Sequence, residues 1–255
     1  MRIISYNVNG IRAAIKKGFF DWLKTNPADV ICLQETKATQ GDVDIKQLEA
    51  LGYYHHWFSA QKKGYSGVAI FSKIKPDKVE LGCGIKNSDN EGRVIQADFG
   101  DIRLINAYFP SGTSGDERQL FKYSWLNEFE TYLTKLKKKI PKLILVGDYN
   151  IAHHPIDIHD PKGNKKSSGF LPEEREWMTT FLSTGWVDTF REFNTKPHHY
   201  SWWSQRFPSV RLNNKGWRID YITVTEPLKK QLKAAEILPT IIHSDHCPVY
   251  VEIDF

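Results

Sequence analysis

The chain has 255 residues, of which 40% are hydrophobic and 25% are charged, and this balance is typical of a globular protein with a substantial core. The net charge of +5 suits a polyanionic partner without requiring one. No apolar run approaches the roughly 20 residues of a membrane span, so we expect no membrane association.

The cysteine pattern predicts a reducing compartment. Cys32, Cys83 and Cys247 are odd in number and far apart, which argues against a disulfide framework or a structural zinc site. The first residues, Met1–Asn7, lack the apolar length of a signal peptide. We therefore expect a cytoplasmic protein.

In the first half of the chain, strands alternate with helical patterns. Arg2–Tyr6 is a predicted strand, and apolar residues at helical spacing from Ile11 to Leu23 predict one helix that packs back on it. The next strand is predicted at Asp29–Leu33. Further strands are predicted at Tyr53–Phe58, Val68–Phe71, Val94–Phe99 and Arg103–Tyr108, the first two as a hairpin-like pair.

The second half begins with a long amphipathic helix, because apolar residues recur at helical spacing from Phe121 to Leu136. Leu143–Val146 is an uninterrupted apolar run and predicts a strand buried on both faces. A long irregular loop, Ile151–Phe170, precedes a helix that starts at Pro172. The remaining predicted elements are strands at Tyr200–Trp203, Gly216–Val224 and Val249–Ile253 and a helix over 226–235. This alternation indicates the α/β class.

Polar side chains follow several of these strands where each one ends. Asp148 and Asn150 stand two positions apart after the buried strand, so their side chains should point the same way. Asn7, Glu35 and Tyr108 also follow apolar strands. Each of them alone could be an ordinary turn or cap residue. Together they predict a shared site at the rim of the sheet, where α/β proteins tend to bind ligands.

The chemistry of this set favours a hard divalent cation and a phosphate ester. The full set is Asn7, Glu35, Tyr108, Asp148, Asn150, Asp220, Asp245 and His246. Carboxylate and amide oxygens without thiolates favour Mg²⁺, with Mn²⁺ as the alternative. A cation, a carboxylate base and a histidine suit phosphoester hydrolysis. No P-loop, nucleophile elbow or G-x-G-x-x-G motif favours another chemistry.

The motifs that surround these residues extend the pattern along nearly the whole chain. They are SYNVNGIRA, LQETK, GYSGVAIFS, NAYFPSG, GDYNIAH, DPKGNKKSSGF, GWRIDY and SDHCPV. In this combination the sequence resembles the exonuclease III class of apurinic/apyrimidinic endonucleases, within the endonuclease/exonuclease/phosphatase superfamily. The stretches PKGNKK and GWRIDY favour DNA repair over the phosphatase relatives.

The resemblance implies a fold, a reaction and a substrate. The implied fold is an α/β four-layer sandwich, in which two mixed β-sheets pack face to face with helices outside, and residues 1–255 form one catalytic domain. The implied reaction is Mg²⁺-dependent hydrolysis of the phosphodiester 5′ to abasic sites in double-stranded DNA. Trimming of blocked 3′ ends and 3′→5′ exonuclease activity are further implied activities of a protein expected to be a monomer.

The resemblance also implies roles for individual residues. The implied metal environment is Asn7, Glu35, Asp148, Asn150, Asp245 and His246. The implied catalytic residues are Tyr108 as a donor to the scissile phosphate, Asp148 and Asn150 on the attacking water, and His246 held by Asp220 on a phosphate oxygen. The implied DNA contacts are Lys37, Tyr65, Arg93 and Lys165, and the implied pocket for a flipped-out abasic sugar is Trp202, Trp217 and Ile219.

Two departures and two alternatives accompany this interpretation. Asn9 and Ser111 stand where some relatives carry an aspartate and an asparagine, which leaves a second metal position and the ranking of the activities open. One alternative is a superfamily relative that hydrolyses small soluble phosphoesters. The other is a DNA-binding module with a degenerate site, which would not need a buried Asp220 paired with a histidine.

Overall fold

Two six-stranded mixed sheets form the framework of the computed structural model, which describes residues 1–254. The strands are β1 (Arg2–Asn7), β2 (Val30–Gln34), β3 (Tyr54–Phe58), β4 (Val68–Ser72), β5 (Lys78–Leu81), β6 (Val94–Phe99), β7 (Ile102–Tyr108), β8 (Lys142–Asp148), β9 (Trp186–Asp188), β10 (Asp220–Thr225), β11 (Leu232–Ile237) and β12 (Val249–Ile253). The helices are α1 (Ile11–Lys16), α2 (Phe19–Thr25), α3 (Ile45–Ala50), α4 (Lys86–Asn90), α5 (Asp116–Lys139), α6 (Pro172–Ser183), α7 (Thr189–Phe193) and α8 (Ser209–Leu212).

Each sheet contains one parallel pair among antiparallel neighbours. The first sheet has the order β11-β12-β1-β2-β4-β3, and β1 and β2 are its parallel pair. The second sheet has the order β5-β6-β7-β8-β10-β9, and β7 and β8 are its parallel pair. Parallel neighbours end at the same edge of a sheet, so each sheet brings two consecutive strand ends together.

Three apolar clusters separate four layers. One cluster lies between the sheets and includes Val30, Ile70 and Val146. A second joins the outer face of β7 and β8 to α5 and α6, and a third joins the outer face of β1 and β2 to α1 and α2. The four-layer α/β sandwich that the resemblance implied is therefore confirmed.

Several predicted elements differ from the observed ones. The predicted helix over 226–235 is a 3-10 helix at Glu226–Gln231 followed by β11, because this segment pairs with β12 and extends the sheet. The predicted helix from Ile11 to Leu23 is two helices, because Gly18 adopts φ of 93° between them.

The predicted strands that flank the basic segment 205–215 are also shorter than expected. Trp202 and Trp217 form isolated bridges, to each other and to His246 and Ile158 respectively, and the regular strand β10 starts at Asp220. The turn that leads into Asp220 therefore places aromatic side chains at the end of the sheet instead of extending it.

The three cysteines are free thiols, and Cys32 is buried in the core between the sheets. Within residues 1–254, no helix combines the length and the apolar character needed to cross a bilayer.

A buried ion-pair network fixes the segment that precedes β10. Arg218 Nε donates to Asp157 Oδ1 at 2.7 Å, and its other nitrogens donate to both oxygens of Asp188 at 3.2 and 2.8 Å. Arg191 also pairs with Asp157. Burial alone would raise the pKa of Asp157, but these two guanidinium groups outweigh it and hold the pKa well below its usual range.

We therefore expect Asp157→Asn to destabilise the fold by about 3–5 kcal/mol at pH 7, because it leaves buried guanidinium charge uncompensated. The carboxylate of Asp157 has a lowered folded pKa, so its contribution is complete above the unfolded pKa of about 4 and is lost as the pH falls towards the folded value. Denaturant unfolding of the wild type and of Asp157→Asn between pH 2 and pH 8 measures this difference in stability.

The matched control is Asp101→Asn, which removes an exposed partner of Lys142 and should change stability by less than about 1 kcal/mol. A destabilisation of Asp157→Asn that is equal at pH 2 and pH 7 would contradict the assigned ionisation.

Candidate active site

The strand ends of both sheets meet at one rim, as the sequence predicted. The register pairs Asn7 with Gln34 in the first sheet and Tyr108 with Asp148 in the second. Asp220, the first residue of β10, lies opposite Asp148. Asn7 Nδ2 donates to Asp148 Oδ2 at 2.8 Å across the two sheets, which shows that the two rims are in contact.

Asp148 lies at the centre of this rim and is almost fully buried. Gly147 precedes it with φ of 150°, and a Cβ at that position would lie 1.8 Å from the carbonyl oxygen of Ala107. Only glycine allows this close approach of β7 and β8. Asn150 places its backbone N–H 2.9 Å from Asp148 Oδ1 and its Nδ2 3.2 Å from Oδ2.

The environment of Asp148 favours a carboxyl that can exchange protons near neutral pH. Burial is the main cause that raises the pKa of Asp148, to about 7, while the imidazole of His246 acts in the opposite direction. Such a value suits a general base, because the base must be deprotonated and still accept a proton.

Asn7 lies deep in the rim with its nitrogen towards the acids. Its Nδ2 donates to Glu35 Oε1 at 2.9 Å as well as to Asp148, and its Oδ1 accepts the backbone N–H of Asn9 at 3.0 Å. In this arrangement the amide nitrogen of Asn7 holds the two carboxylates in place. The place of Asn7 in the metal environment stays a prediction.

Glu35 and Lys37 leave β2 in left-handed backbone conformations, with φ of 49° and 50°. Lys37 Nζ lies 2.9 Å from Glu35 Oε2 and also donates to Asn9 Oδ1. The ammonium group of Lys37 thus lies beside the acidic cluster, where it can reach a bound phosphate.

His246 is held by Asp220. The Nδ1 of His246 lies 2.9 Å from Asp220 Oδ2, and Ser201 Oγ donates to the same oxygen at 2.6 Å. Asp220 is a buried carboxylate within a strand, and these two bonds give it the partners that such a position requires. Burial opposes the charged imidazole, but the carboxylates of Asp220 and Asp148 outweigh it and raise the pKa of His246 to about 10.

Asp245 lies next to His246 but makes contacts of its own. Its Oδ1 accepts Asn9 Nδ2 at 2.9 Å, and its Oδ2 accepts Trp202 Nε1 at 3.1 Å. Burial alone would raise the pKa of Asp245, but His246 and the hydrogen bonds lower it. Asp245 is therefore an anion at the edge of the rim that also fixes the indole of Trp202.

Three residues bring possible donor atoms close together. One atom each from Glu35, Asp148 and His246 lies within 4.8 Å of the others. The two carboxylates suit Mg²⁺ or Mn²⁺. A divalent cation would also offset the repulsion between the buried acids, so the residues present fit such an ion.

Tyr108 and Arg93 form the wall opposite the histidine. The guanidinium of Arg93 lies 4.7 Å from the centre of the Tyr108 ring, and Arg93 Nη1 donates to the Tyr108 carbonyl at 2.8 Å. Burial and the Glu35 carboxylate raise the pKa of Tyr108, which keeps its hydroxyl protonated. Arg93 is only 1% exposed and pairs with Glu91, so its predicted role as a DNA backbone contact differs from its buried placement.

Arg118 is a cation at this wall that the sequence analysis missed. It comes from the first turns of α5, lines the cavity, and shares Glu91 and the hydroxyl of Tyr65 with Arg93. Its side chain is 27% exposed, so it is more accessible than Arg93. The position of Arg118 in the first turn of a helix, just after the loop that contains Gly112 and Gly115, could have indicated such a role. The sequence does not show which face of this helix points towards the site.

The predicted pocket residues form one apolar corner of a cavity of about 890 Å³ beside the acidic cluster. The rings of Trp202 and Trp217 lie edge to face with centres 5.9 Å apart, and Ile219 packs in the same cluster. Trp217 also packs on Gly169, where a Cβ would lie 3.0 Å from the indole ring. In the loop that contains Gly169, Lys165 is exposed and Lys166 lines the cavity.

Comparison with known proteins agrees with this geometry. The model of the Endonuclease/Exonuclease/phosphatase family matches residues 4–246. The chain belongs to this family. It is 44% identical to an exodeoxyribonuclease of Bacillus subtilis over 256 residues, covering all of both chains. It is 40% identical over 252 residues to the DNA repair nuclease APEX1 of Danio rerio, covering 98% of this chain and 81% of that protein.

Solved structures of the same family share the whole fold. An AP endonuclease from Archaeoglobus fulgidus is 30% identical with a TM-score of 0.91, and the match covers all of both chains. A 3′ phosphatase from Neisseria, solved with a product DNA hairpin, is 28% identical with a TM-score of 0.92 and equal coverage. The resemblance to exonuclease III class endonucleases is confirmed, and the chain is a hydrolase of the nuclease type.

The pairing of His246 with Asp220 gives a prediction for the metal-free protein. Since Asp220 is a main cause of the raised pKa of His246, Asp220→Asn should bring that pKa down into the range between pH 5 and pH 8. The ring of His246 should stay protonated up to pH 8 in the wild type. NMR titration of the histidine ring protons measures the pKa of His246 in the wild type and in Asp220→Asn.

His153 provides the control in the same spectra. Its pKa is lowered to about 4, mainly by burial, and Asp220→Asn should leave it unchanged. If His246 of the wild type titrates near 6.5, the ion pair does not hold the charge that we assign to it.

Proposed function

We propose that this protein, as one catalytic domain over residues 1–255, hydrolyses the phosphodiester 5′ to abasic sites in double-stranded DNA and leaves a 3′-hydroxyl. The observation that carries the proposal is the position of Glu35, Asp148 and His246, within 4.8 Å of one another beside an aromatic pocket. The acids and the histidine suit phosphoester hydrolysis, and the pocket suits a sugar without a base. The relatives, which include a DNA repair nuclease and two AP endonucleases, support the same class of substrate.

The attacking water would lie against Asp148, which accepts its proton. Asn150 would orient that water, because its amide is directed towards the same carboxylate. The hydroxyl of Tyr108 would donate to a non-bridging oxygen of the scissile phosphate. These three groups come from two neighbouring strand ends, so the rim fixes their relative positions before DNA binds.

His246 would neutralise the developing negative charge. Its raised pKa keeps the imidazole protonated, and its Nε2 lies 3.9 Å from Asp148 Oδ2, on the side of the carboxylate where a phosphate would bind. A protonated imidazole donates to phosphate and cannot ligate a metal. We therefore assign His246 first to the phosphate, and Glu35 and Asp148 to the cation.

We propose Mg²⁺ as the ion, with Mn²⁺ as a substitute, held by Glu35 and Asp148, with Asn150, Asp245 and His246 around them. When bound, such an ion polarises the phosphate and stabilises the leaving oxygen. Asn7 keeps both carboxylates in place through its amide nitrogen.

The aromatic corner would bind the abasic sugar after it leaves the helix. Trp202, Trp217 and Ile219 offer an apolar surface with little room for polar contacts. Extrusion of a nucleotide that lacks its base costs little stacking energy, so such a pocket selects abasic sites. Lys37, Tyr65, Lys165 and Lys166 would contact the DNA backbone, which makes binding dependent on salt. Arg118 is a further candidate for such a contact.

The related activities follow from the same geometry. Removal of 3′-blocking groups and 3′→5′ exonuclease action hydrolyse the same type of bond at a strand end. We propose that a monomer performs them alongside incision at abasic sites, in the cytoplasm.

The direct test is incubation with a duplex that carries one tetrahydrofuran abasic analogue, with and without EDTA. We expect a metal-dependent nick with a 3′-hydroxyl on the 5′ side of the analogue. Asp148→Ala and His246→Ala should each lower the rate by about 10²–10⁴-fold while DNA binding is kept.

The same assay separates the alternatives. Soluble phosphoesters and a duplex with a 3′-phosphate serve as comparison substrates. Faster turnover of soluble phosphoesters than of the abasic duplex would favour the small-molecule reaction, and salt-sensitive binding without any cleavage would favour a binding module. Wild-type rates in both variants would refute the assigned roles.

The metal assignment has a test that does not depend on turnover. Glu35→Gln removes one of the two proposed carboxylate ligands and should weaken Mg²⁺ or Mn²⁺ binding at least about tenfold, as measured by calorimetry. Glu49→Gln, at an exposed acid that pairs with His55, is the control and should bind metal like the wild type. Equal affinity in both variants would remove Glu35 from the metal environment.

A further inference from the structure

A fully buried lysine lies directly behind the active site. Lys122 on α5 has no exposed side-chain surface, and its ammonium group donates to the carbonyl oxygen of Asn150 at 2.7 Å and to Glu174 Oε1 at 2.5 Å. A buried ammonium is costly unless it is paired and hydrogen-bonded. The sequence analysis assigned no role to either member of this pair.

Glu174 connects the lysine to both neighbouring segments. Its Oε2 accepts the backbone N–H groups of Gly169 at 2.6 Å and Leu171 at 3.0 Å, and its Oε1 also accepts Gln119 Nε2 at 3.0 Å. The loop that starts after Asn150 therefore ends on the same carboxylate. A further bond from the Ala152 N–H to the Gly169 carbonyl, at 2.7 Å, closes the loop.

The backbone of Asn150 is in the left-handed region, with φ of 52°. Asparagine adopts this conformation more readily than most residues other than glycine, but it still costs free energy that surrounding contacts can offset. The side chain of Asn150 is tied to the Phe109 carbonyl at 3.0 Å and to Asp148 at 3.2 Å. The carbonyl of the same residue is tied to Lys122, so a rotation of that peptide unit would move the amide that faces the reacting groups.

We infer that Lys122, fixed by Glu174, is a positioning residue that holds Asn150 in its productive conformation. The inference rests on one part of the proposed function, which is that Asn150 takes part in phosphodiester hydrolysis. It does not depend on abasic specificity.

A double-mutant cycle tests this coupling. Lys122→Met keeps most of the side-chain length and removes the donor. We expect it to lower the single-turnover cleavage rate at saturating enzyme by about 10- to 100-fold, while DNA affinity changes less than about threefold. In the Asn150→Ala background, the same change should lower the rate by less than about twofold.

The cycle is measured on whichever of three substrates the wild type cleaves fastest: an abasic duplex, a duplex with a 3′-phosphate, or an intact duplex. The coupling between Lys122 and Asn150 can therefore be measured even if the protein does not prefer abasic DNA. Equal rate losses from Lys122→Met in both backgrounds would overturn the inference, since a general loss of structure acts independently of Asn150.

Arg103→Met is the matched control. Arg103 is a buried cation that pairs with Asp98 and Glu80 at the other end of β7, five register positions from Tyr108. It should change stability without any coupling to Asn150. The amide signals of Asn150 in ¹⁵N-asparagine-labelled protein should shift in Lys122→Met and not in Arg103→Met, and an unshifted Asn150 in Lys122→Met would also overturn the inference.

If Lys122→Met does not fold, the pair is removed together. Lys122→Met with Glu174→Gln leaves no unpaired buried charge, and the glutamine oxygen can still accept the N–H groups of Gly169 and Leu171. The carbonyl of Asn150 still lacks its donor, so we expect the same loss of cleavage rate as in Lys122→Met. In the Asn150→Ala background, the double change should again lower the rate by less than about twofold. A double variant with the wild-type rate would refute the inference.

Discussion

The amide group of Asn7 is the contact on which the arrangement of the site depends. It donates to Glu35 of its own sheet and to Asp148 of the opposite sheet, whose position in the sequence is 141 residues away. Two sheets that pack only through apolar side chains could slide by part of a residue at little cost. A buried amide with two carboxylate acceptors allows one alignment, because any other leaves the acids without their donor.

The electrostatics of the rim follow from this close approach. Burial and the neighbouring acids raise the pKa of Asp148 to about 7, so this carboxylate holds a proton more tightly than an exposed aspartate does. Asp220 and Asp148 in turn stabilise the charge on His246. The walls of the rim are fixed by other buried charges, the Arg218 network behind Trp217 and the Lys122–Glu174 pair behind Asn150.

Much of this could be predicted from the sequence, because strand ends and side-chain alternation are local properties. Asp148, Asn150 and the buried strand before them are examples, and the pairing of Asp220 follows from a carboxylate among apolar residues. The orientation of Asn7, the burial of Arg93 and the part of Arg118 could not be predicted, since they depend on which groups approach from the other sheet. The strand at Leu232–Ile237 was missed because its partner β12, and not its own composition, decides its conformation.

The pairing of β1 with both β2 and β12 has a consequence for synthesis of the protein. The first strand of the chain lies between its near neighbour and the last strand, and the site takes Asn7 from one end and His246 from the other. A ribosome-bound chain that stops before residue 246 has acids but no imidazole and an unpaired edge on β1. The first sheet and the site at its rim are therefore completed only once the segment from His246 to the end of β12 has been synthesised.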